Sequence, residues 1–92
     1  MIKNFKSKNL EQFFTKNNSK FLNAKDLPKI MRILDRLDAA VTESDMDIPG
    51  WDLHQLKGNR KGTWSVIVRK NWRITFSFDK GDAYDINLED YH

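Results

Sequence analysis

Residues 72–78 carry the strictest alternation of apolar and polar side chains in the chain, and this pattern requires a half-buried β-strand. The apolar face consists of Trp72, Ile74, Phe76 and Phe78, and the polar face of Arg73, Thr75 and Ser77. The runs 64–69 and 83–88 alternate in the same way, with Tyr84, Ile86 and Leu88 expected to face inward. Short turns at Lys70-Asn71 and Lys80-Gly81-Asp82 separate the three runs, so they predict consecutive antiparallel strands.

Two helices are predicted before this meander. Ser7 is a typical N-cap, and apolar residues then recur at helical spacing up to Asn17-Asn18-Ser19. The second helix begins near Asp26, and Pro28 is tolerated because it falls in the first turn. Its apolar stripe consists of Leu27, Ile30, Met31, Ile33, Leu34 and Leu37. Residues 42–47 show neither period and predict a loop or a single helical turn.

With a short strand in the first six residues and another at 51–56, the predicted order is β-α-α-β-β-β-β. We therefore expect one α+β domain spanning residues 1–92, in which an antiparallel-rich sheet is covered by two helices on one face. The opposite face is then expected to be polar and open. The side chains expected there are Arg73, Thr75, Ser77, Asp85 and Asn87.

Composition excludes several classes of protein. The chain has no cysteine, which rules out disulfide scaffolds, thiolate metal sites and cysteine nucleophiles. No apolar run approaches the length of a membrane span, and the opening residues lack the apolar region of a signal peptide. We therefore expect a soluble, cytoplasmic protein.

Charge is distributed unevenly although the net charge is only +3. Residues 54–73 include six Lys or Arg and no acid, whereas residues 79–92 include five acids and one lysine. Two interpretations explain this distribution of charge equally well. One is the ordinary segregation of surface ion pairs, and the other is a polyanion-binding patch beside an acidic edge. Composition alone does not decide between them.

The two histidines and one strand arginine have the chemistry to cleave RNA without a metal. That reaction needs a base for the ribose 2′-OH, a cation near the phosphoryl oxygens and an acid for the leaving 5′-oxygen. His54, Arg73 and His92 are suitable, although single strand residues of these types are more often merely solvated. A metal could in principle be bound by two histidines and one carboxylate, namely His54, Asp90 and His92, but their spacing matches no metal-ligand motif. No cofactor is expected. Trp64 and Trp72 are expected in the core rather than as base-stacking platforms.

Several segments together resemble the HigB toxins, which belong to the RelE-like ribonuclease toxin superfamily. The segments are Met1-Ile2-Lys3, Asp47-Ile48-Pro49-Gly50, residues 53–65, residues 71–76, Gly81-Asp82-Ala83-Tyr84 and Glu89-Asp90-Tyr91-His92. The resemblance implies the toxin of a type II toxin-antitoxin system, an endoribonuclease that cleaves mRNA in the A site of the 70S ribosome. It implies a HigA-type helix-turn-helix antitoxin, with operator DNA bound only by the toxin–antitoxin complex. The microbial-RNase-like fold of the superfamily agrees with the periodicity.

The resemblance also implies the residues of the site. The implied catalytic residues are His54, Arg73, Asp90, Tyr91 and His92, and the implied RNA-binding residues are Lys57, Arg60 and Lys61. Arg73 would stabilise charge on the scissile phosphate, His92 or Asp90 would activate the 2′-OH, and His54 would be the other proton-transfer group. Gln55 stands where many relatives have proline. The alternative is a degenerate toxin, a non-catalytic module that binds RNA or a partner.

Overall fold

The computed structural model describes residues 1–90, which form two helices and a four-stranded antiparallel sheet. The elements are α1 (Lys8–Lys16), α2 (Leu27–Ala39), β1 (His54–Gln55), β2 (Thr63–Arg69), β3 (Trp72–Asp79) and β4 (Asp82–Asp90). Short 3₁₀ turns lie at Ala24–Asp26, Glu43–Met46 and Gly58–Arg60. The spatial order β1-β2-β3-β4 follows the chain, so the predicted meander and the α+β class are confirmed, although the strand predicted at residues 51–56 is only the two residues of β1.

The core lies between the helices and one face of the sheet. Its buried side chains include Leu10, Phe13, Ile30, Ile33, Leu34, Leu37, Met46, Val66, Ile74, Phe76, Ala83 and Ile86. Both predicted helical stripes contribute to it. Trp51, which precedes β1, is also buried there, and its carbonyl accepts a hydrogen bond from the Ile67 N–H at 2.7 Å. Trp72 is less buried than its position in the alternation suggested, with 37% of its surface exposed at the end of the sheet.

Local sequence explains where the helices start and stop. The Ser7 hydroxyl accepts a hydrogen bond from the Leu10 N–H at 3.2 Å, and Asn17 ends α1 in the left-handed conformation at φ 54°. Pro28 lies in the first turn of α2, as predicted, where its missing N–H costs nothing. Residues 42–47, predicted as a loop or a single helical turn, contain the 3₁₀ turn Glu43–Met46, with a capping box between Thr42 and Asp45.

The predicted first strand is a pair of isolated bridges rather than a regular strand. Ile2 bridges Ala83 and Phe5 bridges Ile86, both in parallel orientation along β4. The terminal amine donates to the Gly81 carbonyl at 3.1 Å and lies 3.6 Å from an Asp82 carboxylate oxygen. The opening residues therefore extend the sheet beside its last strand.

A bulge in β4 corrects one prediction. Ala83 is opposite Phe78 and Tyr84 is opposite Ser77, but beyond the bulge Leu88 is opposite Ile74. Asp85 has φ 54° at this register shift. Because directly opposed residues share a face, Tyr84 lies on the polar face with Ser77, and the expectation that it faces inward with Ile86 and Leu88 is wrong.

The expectation of an open polar face is also wrong in part. Arg73 and Thr75 retain only 7% and 2% of their surface exposed, and Ser65 beside them is fully buried. Side chains from β4 and from the segment before β1 cover them. Within residues 1–90 every buried side-chain nitrogen and oxygen has a hydrogen-bond partner, so this layer is a satisfied polar network.

Candidate functional site

The register of the four strands places the polar side chains in rows across one face. His54 is opposite Ser65, Ser65 is opposite Thr75, and Thr75 is opposite Asn87. Arg73 and Glu89 are opposed in the next row. These residues therefore share the face that the helices do not cover.

Arg73 is the centre of the first cluster on this face. Its Nε donates to the Ser65 hydroxyl at 2.9 Å, and one terminal nitrogen donates to the Asp52 carbonyl at 2.7 Å. The same terminal nitrogen lies 3.2 Å from His54 Nδ1, and the other lies 3.4 Å from an Asp52 carboxylate oxygen. The structure thus brings the predicted His54 and Arg73 into direct contact.

Two groups contact Nδ1 of the His54 ring: a terminal nitrogen of Arg73 at 3.2 Å and the Asp52 carbonyl oxygen at 3.3 Å. Nδ1 accepts from Arg73 when the ring proton is on Nε2, and it donates to the Asp52 carbonyl, 3.3 Å away, when Nδ1 carries a proton. The ring remains half-exposed and lines a shallow pocket of about 230 Å³ with Gln55, Leu56 and Lys57. His54 is therefore fixed on one side and accessible on the other.

The partners of Arg73 limit what else it contacts. A guanidinium has five N–H groups, and four are directed at Ser65, Asp52 and His54 in this arrangement. The Asp52 carboxylate is two-thirds exposed, and its 3.4 Å contact is the longest of the four. An incoming phosphate would therefore have to replace Asp52 to receive more than one N–H.

A second cluster on the same face joins Arg60, Thr75 and Glu89. Arg60 donates to both oxygens of Glu89, at 2.8 and 2.6 Å, and the Thr75 hydroxyl donates to one of them at 2.6 Å. The bidentate hydrogen bonds from Arg60 lower the pKa of Glu89 to about 2, against the opposing effect of burial. The ion pair between Arg60 and Glu89 therefore connects the Gly58–Arg60 turn to β4.

Glu89 should make the stability of the fold sensitive to acid. Its folded pKa is about 2, against an ordinary value of 4.5. Its stabilising contribution is therefore fully present above pH 4.5 and is lost as the pH falls toward 2. We expect Glu89→Gln to lower the free energy of unfolding at pH 7 by on the order of 2 kcal/mol, discounted for the partly exposed Arg60, and by much less at pH 3.

Urea denaturation at pH 7, 4.5 and 3 measures this difference. Glu11→Gln, on the exposed face of α1, is the matched control and should leave the pH dependence as it is in the wild type. If Glu89→Gln lowered the free energy of unfolding equally at pH 7 and pH 3, this would contradict the lowered pKa of Glu89.

The remaining predicted residues are distributed around these two clusters. Lys57 and Lys61 are exposed on either side of the Gly58–Arg60 turn, and the Gln55 amide donates to the Lys61 carbonyl. Asp90 is opposite Trp72, so by register it lies on the side of Ile74 and Leu88, away from the row of Arg73. Tyr91 and His92 lie outside the described residues. The roles of all these residues stay predictions.

Sequence reasoning missed Asp52, Ser65 and Glu89 as partners in the site. Ser65 and Glu89 belong to the polar face by simple alternation from Ile67 and Asn87, so the period-2 pattern contained that signal. Asp52 lies outside any strand at φ 50°, and no pattern in the sequence marks it.

Comparison with known proteins gives the family. Residues 3–92 match the family described as HigB-like toxin, a RelE-like toxin of the type II toxin-antitoxin system HigB. The chain belongs to this family. It is 46% identical over 92 residues to a Proteus vulgaris protein named Endoribonuclease HigB, covering 100% of both chains. It is 37% identical over 91 residues to Toxin HigB-1 of Vibrio cholerae serotype O1, covering 97% of this chain and 96% of that one.

Membership confirms the resemblance inferred from the residues and has one consequence for partners. A toxin of a type II system has an antitoxin as its partner. In residues 1–90 no helix is both long and apolar enough to cross a membrane.

Proposed function

We propose that this toxin is an endoribonuclease that cleaves mRNA in the ribosomal A site and is neutralised by a HigA-type antitoxin in the cytoplasm. The observation that supports this most is its full-length similarity, at 46% identity, to the protein named Endoribonuclease HigB. The contact between His54 and Arg73 is compatible with proton transfer beside a phosphate.

The proposed reaction is an attack of the ribose 2′-oxygen on the adjacent phosphorus. A base removes the 2′-OH proton, the bond from phosphorus to the 5′-oxygen breaks, and an acid gives that oxygen a proton. The products are a 2′,3′-cyclic phosphate and a 5′-OH end. The 2′-oxygen of the RNA is itself the nucleophile, so no external nucleophile takes part, and the proposed step uses no metal. The base is His92 or Asp90, and His92 is favoured because an imidazole, unlike an ordinary carboxylate, takes up a proton near neutral pH.

The other side chains have supporting roles in this proposal. His54, protonated on both ring nitrogens, gives the Nε2 proton to the leaving 5′-oxygen, while its Nδ1–H donates to the Asp52 carbonyl 3.3 Å away. Arg73 also places positive charge next to the reacting phosphate, which it contacts directly once Asp52 moves aside. Tyr91 stacks on or orients a base.

Primer extension on a message that is being translated tests the proposal. We expect cuts within codons when ribosomes and toxin are both present, and none when either is omitted or when the antitoxin is added in excess. A protein that binds ribosomes and leaves the message intact would instead be the non-catalytic module.

Lys57 and Lys61 should supply part of the electrostatic attraction to RNA. Both are exposed, whereas Arg60 is paired with Glu89. Each lost phosphate contact should reduce the slope of log K against log salt by about 0.7 for single-stranded RNA. We therefore expect the double variant Lys57→Ala/Lys61→Ala to reduce this slope by about 1.4 for binding of the toxin to the complex of ribosome and message.

Binding measured between 50 and 300 mM salt gives these slopes. Lys8→Ala/Lys16→Ala removes two exposed lysines from α1 and should leave the slope as in the wild type. If the wild type and both double variants had equal slopes, Lys57 and Lys61 would be solvated and would not contact phosphates.

A further inference from the structure

A polar cleft lies beside the row of His54, Ser65 and Thr75 and takes no part in the reaction proposed above. Its volume is about 220 Å³, and its walls are Lys6, Asn59, Arg60, Thr63, Thr75, Ser77, Asp85 and Glu89. Liquid water takes roughly 30 Å³ per molecule, so the cleft has room for a ring-sized group. Ser77 follows Thr75 by two residues on the same face of β3, a distance of roughly 7 Å, so the cleft lies next to that row.

The walls of the cleft are fixed by contacts described above. Arg60, Thr75 and Glu89 form one hydrogen-bonded wall, and both Glu89 oxygens are occupied. Asp85, at the β4 bulge, also lines the cleft, and its Oδ1 accepts from the Asn4 amide at 3.0 Å. The cleft is therefore preformed.

The floor of the cleft offers hydrogen-bonding groups in a neutral setting. Thr63 and Ser77 are directly opposed on β2 and β3, so their hydroxyls stand side by side. The positive charges of Lys6 and Arg60 are balanced by the negative charges of Asp85 and Glu89. An isolated phosphate is poorly matched to a neutral cleft with two carboxylates, whereas a nucleobase, which is flat, uncharged and rich in donors and acceptors, is well matched.

We propose that this cleft binds one unpaired nucleobase of the RNA, next to the nucleotide held at His54 and Arg73. The inference rests on the proposed action of the toxin on RNA. Asp85 Oδ2, which has no hydrogen-bond partner among residues 1–90, accepts from an exocyclic amino group, as carboxylates do from cytosine N4. Adenine, cytosine and guanine carry such a group and uracil does not. The cleft therefore selects against uracil.

Nuclear magnetic resonance titration of the full chain with each ribonucleoside 5′-monophosphate tests this inference. We expect the amides of Asn59, Thr63, Ser77 and Asp85 to shift saturably with the adenine, cytosine and guanine nucleotides, several-fold more weakly with the uracil nucleotide, and not with inorganic phosphate. Equal shifts with inorganic phosphate would show an anion site. Shifts confined to residues around His54 would show that the cleft stays empty, and either result overturns the inference.

Two sets of variants sharpen the test. Thr63→Val/Ser77→Ala removes two hydroxyls with little change in volume and should weaken binding about tenfold. Thr15→Val/Ser19→Ala, away from the cleft in α1 and the segment after it, should leave binding as in the wild type. Asp85→Asn tolerates the left-handed φ of the bulge and should reduce the discrimination against uracil. Wild-type affinity in Thr63→Val/Ser77→Ala would overturn the inference.

The titration uses neither ribosomes nor a cleavable bond, so its result is independent of the primer-extension assay. Binding in the cleft without cleavage on ribosomes would refute only the proposed function. Cleavage on ribosomes without binding in the cleft would refute only this subsite.

Discussion

Arg73→Ala is expected to lower cleavage of a translated message at least about a hundredfold. The substitution removes both the guanidinium contact with His54 Nδ1 and the positive charge of the guanidinium. It also leaves the fully buried Ser65 hydroxyl without its partner. We expect the free energy of unfolding to fall by about 2 kcal/mol, and the melting temperature of a domain this size by about 10 °C.

Because the variant is destabilised, loss of folding and loss of chemistry must be separated. Cleavage is therefore measured well below the melting temperature of the variant, beside Arg73→Lys. Lysine keeps the charge, but its single ammonium group lacks the fork that reaches Ser65, Asp52 and His54 together. We expect Arg73→Lys to recover more stability than activity. Arg32→Ala, on the exposed face of α2, is the control, and cleavage by Arg73→Ala within twofold of that control would contradict the site.

Replacing His92 by Gln is expected to cost about 10²- to 10⁴-fold in cleavage, the usual contribution of a proton-transfer group. Glutamine retains a hydrogen-bonding end but takes up no proton near neutral pH. The chain has only two histidines, so the dependence of the rate on pH can be assigned by substitution. We expect His92→Gln to flatten one limb of the pH–rate profile and His54→Gln to flatten the other.

Antitoxin binding serves as the control for both histidine variants. Each variant should bind the antitoxin as the wild type does, which shows that a lost rate is not a lost fold. If His92→Gln cleaves at the wild-type rate with an unchanged pH profile, His92 is not the base. The proton must then go to another group, with Asp90 the next candidate to replace.

The sequence predicted the helices and the meander because each was set by a local rule. Ser7, Asn17 and Pro28 mark helix ends by their own chemistry, and the alternation of 72–78 fixes a strand whatever surrounds it. The bulge was missed although two signals conflicted there. The two-residue turn at Lys80-Gly81 directs Ala83 inward, whereas the apolar pattern directs Ile86 and Leu88 inward, and only one extra residue reconciles them.

The site was predicted less completely because its contacts join residues far apart in the chain. Resemblance named His54 and Arg73, and the structure shows them in contact. No local rule indicates that Asp52 supplies a carbonyl to Arg73, or that Glu89 engages Arg60 and so occupies a cation expected to contact RNA. Burial of Arg73 follows from those same contacts, which explains why an open polar face was the natural but incorrect expectation.

The pairing of residues 1–5 with residues 83–86 has a consequence for biosynthesis. Residues 1–5 cannot pair until β4, about 80 residues later in the chain, has been translated, because within residues 1–90 both of their bridges are to that strand. Contacts so distant in sequence form late and slow folding. A nascent toxin would thus stay unfinished until β4 has left the exit tunnel.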